Sequence, residues 1–503
     1  MQGSRPISGL RPAAPADARA ADLLEDIRAT PTAHEAGRRI FVNRNLRFAD
    51  ITWMGFDMDY TLAPYAKREL EELSFEMTKA RMVEALGYPE SILGLPYDPQ
   101  LTTRGLAIDK RLGNILKVDR HGYVGRAYHG RRPLDRTERH EIYRNTKIRL
   151  SAERYHWVDT LFALPEAALL AEIIDHYEVE RGIQKVAYWK LFDDIRTSID
   201  DCHRDGSLKA VLRAELDKYL HKDPELPHAL HKLRVGGKKL FVLTNSEYEY
   251  TEAVMSHLLD GAIEEYPSWR DYFQFVVVEA QKPGFFTENR PFHEVDRATG
   301  EVLEVRATEI RDGGIYRGGS TREIALRRPD LRGEDVLYVG DHIYGDIIRS
   351  KRDTLWRTAL VLEELEEELS TELRLGGARA QLDEIESEMA LIQDQVSALE
   401  GELAELEREG TAESRASVEA MLEDKRAALA DLDRRHGHVE ARIERSFNPH
   451  WGSVFREGDE QSRFGRQVEE YACIYTSRVS NFLGYSGRQY FRTPRHWMPH
   501  EKT

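Results

Sequence analysis

The sequence predicts an α/β fold: a doubly wound parallel sheet with a large inserted module and an antiparallel hairpin of coiled-coil helices. Three observations carry this expectation. Short apolar runs recur along the chain and end directly in polar residues, as buried parallel strands do. Nearly two hundred residues separate the first two runs, far more than a crossover helix needs. Late in the chain, apolar residues alternate spacings of three and four without a break, which is the pattern of a coiled-coil seam.

The runs place strands at Ile51 to Phe56, Lys239 to Leu243, Phe273 to Val278, Val336 to Val339 and Leu355 to Val361, with helical patterns between them. The long insert reads as a cap with helical stretches at Glu69 to Leu86 and Pro165 to His176 and a loop-rich segment at 93–100. A smaller insertion, about Glu288 to Thr321, carries several glycines and a β-like run at Glu301 to Val305. The seam uses Leu382, Ile385, Met389, Ile392, Val396, Leu399, Leu403 and Leu406. After a turn at Glu409 to Ser414 a second stripe follows, Val418, Leu422, Leu429, Leu432, Val439 and Ile443, interrupted by Lys425 and His436. Two helices of similar length imply an antiparallel hairpin, read as a structural arm or oligomer contact with a solvated acidic lead-in at 363–369. The expected divisions are a mobile tail at 1–35, a core at 36–65 and 225–370, the cap at 66–224, the hairpin at 371–447 and a C-terminal helical segment packing on the core at 448–503.

Composition narrows the partners. At 503 residues the chain should hold two or more domains, and 41% hydrophobic with 32% charged residues describes a wet-surfaced globular protein. A formal charge of -16 argues against DNA or RNA as a general partner, so anionic substrates must be captured locally. Cys202 and Cys473 form no CxxC, which supports neither a disulfide framework nor structural zinc and fits a reducing cytoplasm. The N-terminal stretch lacks the apolar run of a secretory signal, and its acids Asp17, Asp22 and Glu25 weaken a transit-peptide reading. With no run of about 18 apolar residues, no membrane span is expected.

The residues that end the strands carry the chemistry. Asp57-Met58-Asp59-Tyr60-Thr61 puts two carboxylates at the carboxyl end of a strand, where α/β sheets bind ligands, and offers a nucleophile and a proton donor on one loop. Taken alone, such a pair is as readily turn chemistry. Thr244-Asn245-Ser246 offers hydroxyls and amides to phosphoryl oxygens, although the same composition caps helices. Lys282 before Pro283 would neutralise a phosphoryl group and a carboxylate nucleophile, or lie on a solvated surface. Gly340-Asp341-His342-Ile343-Tyr344-Gly345-Asp346 supplies two more acids. Asp341 is the expected direct ligand of Mg²⁺, which takes oxygen donors, while Asp346 would orient Lys282 or a metal-bound water, or cap a helix.

In this order, DxDxT, Thr/Ser, Lys and GDxxxxD resemble the four motifs of haloacid dehalogenase superfamily phosphatases. Longer stretches, FVNRNL at 41–46, GFDMDYTLA at 55–63, GNILKVD at 113–119 and YVGDHIYGDI at 338–347, resemble the cytosolic purine 5′-nucleotidase family, its inosine and guanosine monophosphate-preferring branch. The resemblance implies a phosphoaspartate on Asp57, proton transfer by Asp59, phosphoryl contacts from Thr244 and Lys282, and Mg²⁺ held by Asp57, Asp341 and the Asp59 backbone carbonyl. In the cap, DIRTSIDDCHRDGSLK at 194–209 resembles the base-recognition segment. Arg196 and Asp200 would then bond the purine edge, Phe162 and His203 would stack on the base, and Lys209 would approach the anionic end. Without the resemblance, Phe162 reads as core, His203 as surface and Arg196 with Asp200 as an i,i+4 pair. The family also implies a nucleotide effector, with Arg149 at its phosphate. Asp159 stands where the family uses an asparagine near the effector base. A homo-oligomer, dimer or tetramer, phosphotransfer to a nucleoside and the absence of tail-based control are further expectations. The alternatives are a phosphatase of the same superfamily for another monoester, or an interaction protein working through the hairpin.

Overall fold

The structure is a computed structural model and describes residues 37–149, 152–182, 186–348 and 354–494; the tail expected over 1–35 lies outside the described residues. Six strands make the centre: β1 Trp53–Phe56, β2 Lys239–Leu243, β3 Phe275–Val278, β4 Gly314–Gly318, β5 Val336–Gly340 and β6 Arg357–Val361. They lie in the order β6-β5-β1-β2-β3-β4, with every neighbouring pair parallel. Ile474–Thr476 adds in parallel beyond β6, and Phe41–Val42 closes that edge antiparallel. The far edge carries the antiparallel strands Phe292–Val295 and Val302–Arg306. Sequences such as WMGF and FVVV are buried at every position, because helices and loops cover both faces of the sheet.

Three of the expected strands begin two residues late. Ile51 is buried but follows the short turn Phe48–Asp50, and Phe273 closes the turn Trp269–Tyr272, so their apolar character reports burial without ladder bonds. The β-like run foreseen at Glu301 to Val305 is the edge strand Val302–Arg306. The sequence reading did not include β4 among the core strands. Its segment, GIYRG, buries only Ile315 and Tyr316 and begins and ends in glycine, which hides the apolar signal.

Between β1 and β2 the helices Lys67–Leu86, Leu164–Asp175, Tyr188–Arg204 and Ser207–Ala214 occur with a five-stranded antiparallel sheet that the helical reading of this segment did not anticipate. Two of its three inner strands, Leu106–Asp109 and Asn114–Val118, are buried at all positions, so the period-two alternation that marks a half-exposed strand is missing there.

Gly376–Glu409 and Ala412–Arg445 form two helices of 34 residues each, roughly 50 Å long at about 1.5 Å per residue. Thr411 caps the second helix through its side chain. Cross-links from Glu400 to Arg426, Glu386 to His436 and Gln381 to Arg442 run in opposite chain directions, so the pair is antiparallel. Ile385, Leu432, Val439 and Ile443 are buried between the helices. The C-terminal segment supplies a helix, Arg463–Tyr471, and also the sheet strand Ile474–Thr476. No helix among the described residues is long and apolar enough to cross a membrane.

The centre of the sheet tolerates no side chain at Gly55. That residue lies directly across from Phe241, and a Cβ there would stand 2.3 Å from the Phe241 ring, which is itself stacked on Phe275 at 4.9 Å. Gly55→Ala should therefore destabilise the protein by about 1–3 kcal/mol through overpacking, a loss measured by denaturant unfolding.

Candidate active site

The carboxyl ends of β1, β2, β3 and β5 meet at one crevice. Main-chain bonds carry the ladder past the strand ends, from Asp57 N to Val339 O at 2.9 Å and from Thr244 N to Val277 O at 2.9 Å, which brings the four motifs side by side. After β3 the chain bends sharply: Glu279 and Gln281 hold φ of 45° and 56°. Asn245 clamps the end of this bend by accepting from Lys282 N at 2.6 Å and donating to Lys282 O at 3.1 Å.

Lys282 enters the centre of the site with 4% of its side chain exposed. Its ammonium lies 2.8 Å from Asp57 Oδ1, 2.7 Å from Asp346 Oδ1 and 3.1 Å from the Tyr338 hydroxyl. Burial alone would discharge it, but Asp346 and Asp57 hold its pKa above the usual lysine value. Burial pushes the Asp57 carboxyl well up, opposed by Lys282 and reinforced by Asp346, Asp341 and Asp59. Asp341 is raised to about 7 by burial and by Asp346, against Arg104. Asp57, Asp341 and Asp346 each offer an oxygen within 4.8 Å of the others, an all-carboxylate donor set that suits a hard divalent cation. One lysine does not neutralise three acids, and a cation would relieve the remainder.

Asp59 faces a different way. Its Oδ1 accepts from the Tyr65 hydroxyl at 2.6 Å and its Oδ2 from Ser246 Oγ at 2.8 Å, so its carboxylate stands apart from that cluster and only its main-chain carbonyl is left for the ligand role expected of it. Thr244 is fully buried behind the crevice, and its Oγ1 accepts from Ser246 N at 3.0 Å. It does not line the cavity described next.

That cavity, about 310 Å³, is lined by Asp57, Asp59, Lys282, Asp341 and Asp346 on one side. Phe162, Arg196, Asp200, His203 and Lys209 line the other, and Asn245 and Ser246 lie between. Phe162 and His203 meet edge to face, 5.6 Å apart at 88°, rather than as parallel plates. Burial and Lys209 lower the His203 pKa. Arg196 donates to Glu166 at 2.9 Å and to Asp200 at 3.2 Å. Lys209 pairs with Glu247 and Arg213 with Glu249, each at 3.0 Å, joining the helix Ser207–Ala214 to the segment after β2. Sequence reasoning missed Tyr65, Tyr250, Tyr338, Glu166 and Arg104. Glu166 had a signal, since it is an acid in the otherwise apolar start of Leu164–Asp175; Arg104, in a short polar loop, had none.

Residues 40–503 match the model of the 5′ nucleotidase family. This chain belongs to that family. Similar curated proteins include a 5′-nucleotidase domain-containing protein of Dictyostelium discoideum, 30% identical over 472 residues that cover 92% of this chain and 74% of the relative. The 5′-nucleotidase domain-containing protein 2 of Rattus norvegicus is 30% identical over 475 residues, 92% of this chain and 80% of the relative. Its counterpart of the same name from Homo sapiens is 30% identical over 459 residues, 89% and 82% of the two chains. The family resemblance read from the motifs is thus met, and the chain is a hydrolase of the 5′-nucleotidase type.

Two residues that the resemblance linked to an effector lie apart from the cavity lining of this 5′-nucleotidase. Arg149 is exposed. Asp159 stands 3.4 Å from His342 Nε2, next to Asp341 in sequence. Burial alone would lower the His342 pKa, but Asp159 raises it to about 9. A histidine raised in the folded state contributes stability that is complete below its unfolded value near 6.5 and is lost as the pH climbs through about 9. Asp159→Asn should therefore flatten the fall in melting temperature between these two pH values, as thermal melts across the range would record.

Proposed function

We propose that this 5′-nucleotidase hydrolyses purine nucleoside 5′-monophosphates of the inosine or guanosine type, through a phosphoaspartate on Asp57 and with Mg²⁺ held by Asp57, Asp341 and the Asp59 carbonyl. The observation that carries this is the single cavity lined at one end by Asp57, Asp59 and Lys282 and at the other by Phe162, Arg196, Asp200 and His203. Asp346, bonded to Lys282, would orient that lysine and complete the acidic ring. A bound Mg²⁺ would supply charge neutralisation to the phosphoryl oxygens.

Asp57 attacks phosphorus, forming a carboxyl O–P bond as the P–O5′ bond breaks. Asp59 gives its proton to the departing O5′ and then takes one from the water that cleaves the phosphoaspartate, so its role reverses between the two half-reactions. Tyr65 and Ser246, bonded to its two oxygens, hold it in place for both. Lys282 balances negative charge on Asp57 and the transferring group. Thr244 would contribute from behind the crevice after its hydroxyl turns from Ser246 N. A nucleoside in place of water would give phosphotransfer. The purine would lie between Phe162 and His203 once the histidine ring turns from edge-on to parallel, with its edge at Arg196 and Asp200.

In this reading the core is of the haloacid dehalogenase type, residues 66–224 are the cap that excludes water and selects the leaving group, and the helical pair is a coiled-coil arm suited to oligomer contact. The test is phosphate release from a panel of nucleotides and sugar phosphates, with Mg²⁺ or with EDTA. Release mainly from inosine or guanosine monophosphate, lost in EDTA and in Asp57→Asn by at least about 10³-fold, is the expected outcome. Activity confined to other esters would discard the purine pocket, and activity retained in Asp57→Asn would sink the nucleophile.

A further inference from the structure

We propose that Arg104 is a positioning residue for the acidic cluster: its guanidinium fixes the main chain of Asp341 and ties that loop to the helix on which the hairpin stands. The inference rests on reading Asp57, Asp341 and Asp346 as the carboxylates around a metal. Arg104 comes from the inserted segment between β1 and β2, in the short loop before Leu106–Asp109, yet its side chain is 0% exposed. Its Nε and Nη2 donate to the two oxygens of Glu364 at 2.6 and 2.5 Å, and its Nη1 donates to the Asp341 carbonyl oxygen at 2.8 Å. Phe464 lies against the guanidinium at 5.3 Å. Glu364 is the N-cap residue of Leu365–Arg374, the helix that leads into Gly376–Glu409. The loop approaches this closely because residue 105 is glycine: its φ is +85°, and a Cβ there would stand 2.5 Å from Phe464 Cβ.

A purely adhesive role does not account for this arrangement. Burying an ion pair costs about as much in desolvation as it returns, and two apolar side chains would join the segments as well. What they would not do is hold the Asp341 carbonyl. The planar guanidinium grips a carboxylate with one edge and that carbonyl with another N–H group, which defines the orientation of both. Arg104 favours the ionised form of Asp341 while Glu364 offsets its charge, so the pair acts on the cluster less through net charge than through geometry. Its contribution is fixity: it keeps Asp341 beside Asp57 and Asp346 although the three acids repel one another. Such outer partners of metal ligands commonly matter for metal affinity by about 10- to 100-fold.

The experiment is Mg²⁺ titration by calorimetry on the full chain without substrate, comparing two variants that preserve net charge. Arg104→Lys keeps the ion pair but, as a point donor, does not span both partners. The double variant Arg104→Met with Glu364→Leu replaces the pair by apolar groups and is expected to melt close to the unsubstituted protein. Each should bind Mg²⁺ at least about tenfold more weakly. Binding equal to that of the unsubstituted protein in either folded variant would overturn the proposal, and Arg104→Lys decides alone where the double variant does not fold. Absence of Mg²⁺ binding by the unsubstituted protein would instead refute the metal reading. Amide hydrogen exchange over residues 341–346 then decides on Arg104, with faster exchange in Arg104→Lys expected and unchanged exchange overturning the role.

Discussion

The ammonium of Lys282, 2.8 Å from Asp57 and 2.7 Å from Asp346, is the contact on which the site depends. Asp57, Asp341 and Asp346 are buried together, and like charges in a dry pocket oppose both their own ionisation and the packing that brings them there. Lys282 touches two of these acids directly and so makes their concentration tolerable, with Arg104 and His342 also favouring the ionised Asp341. Everything that places Lys282 therefore serves the site indirectly: the left-handed residues Glu279 and Gln281, the two hydrogen bonds between Asn245 and the Lys282 main chain, and the Tyr338 hydroxyl. The residual negative charge is what makes the crevice receptive to a divalent cation and then to a phosphate ester.

The layout of the sheet was readable because its strands are buried on both faces. In β1, β3 and β5 the apolar run has no exposed position to interrupt it, β2 is exposed only at its first residue, Lys239, and β1, β2 and β5 lead directly into Asp57, Thr244 and Asp341. The same double burial made the inserted five-stranded sheet unreadable, since Leu106–Asp109 and Asn114–Val118 lack alternation and fall within a segment dominated by longer helices. β4 escaped for the opposite reason, with glycine at both ends and only two buried side chains.

Within the site, residue types were legible and side-chain directions were not. Motif order brought Asp57, Lys282, Asp341 and Asp346 together in expectation, and they line one cavity with Phe162, Arg196, Asp200, His203 and Lys209. The turn of Asp59 toward Tyr65 and Ser246, and of Thr244 toward Ser246 N, depends on local hydrogen bonds that no spacing rule encodes. Arg104 lay further beyond reach, because its partners Asp341 and Glu364 are more than two hundred residues away in the chain.

The double hydrogen bond between Asn245 and the main chain of Lys282 also bears on how substitutions at this crevice should be interpreted. A residue can border a ligand cavity and resist replacement for reasons unrelated to the ligand. Asn245 offers both of its amide groups to backbone, a pairing that aspartate can reproduce only on its acceptor side and serine not at all at that reach. Mutational intolerance at position 245 would thus report the shape of a neighbouring loop, and at Arg196 it would report in part the buried Glu166 that this side chain pairs with, whereas intolerance at His203, which meets Phe162 edge to face on the cavity lining, would report the molecule that occupies the cavity.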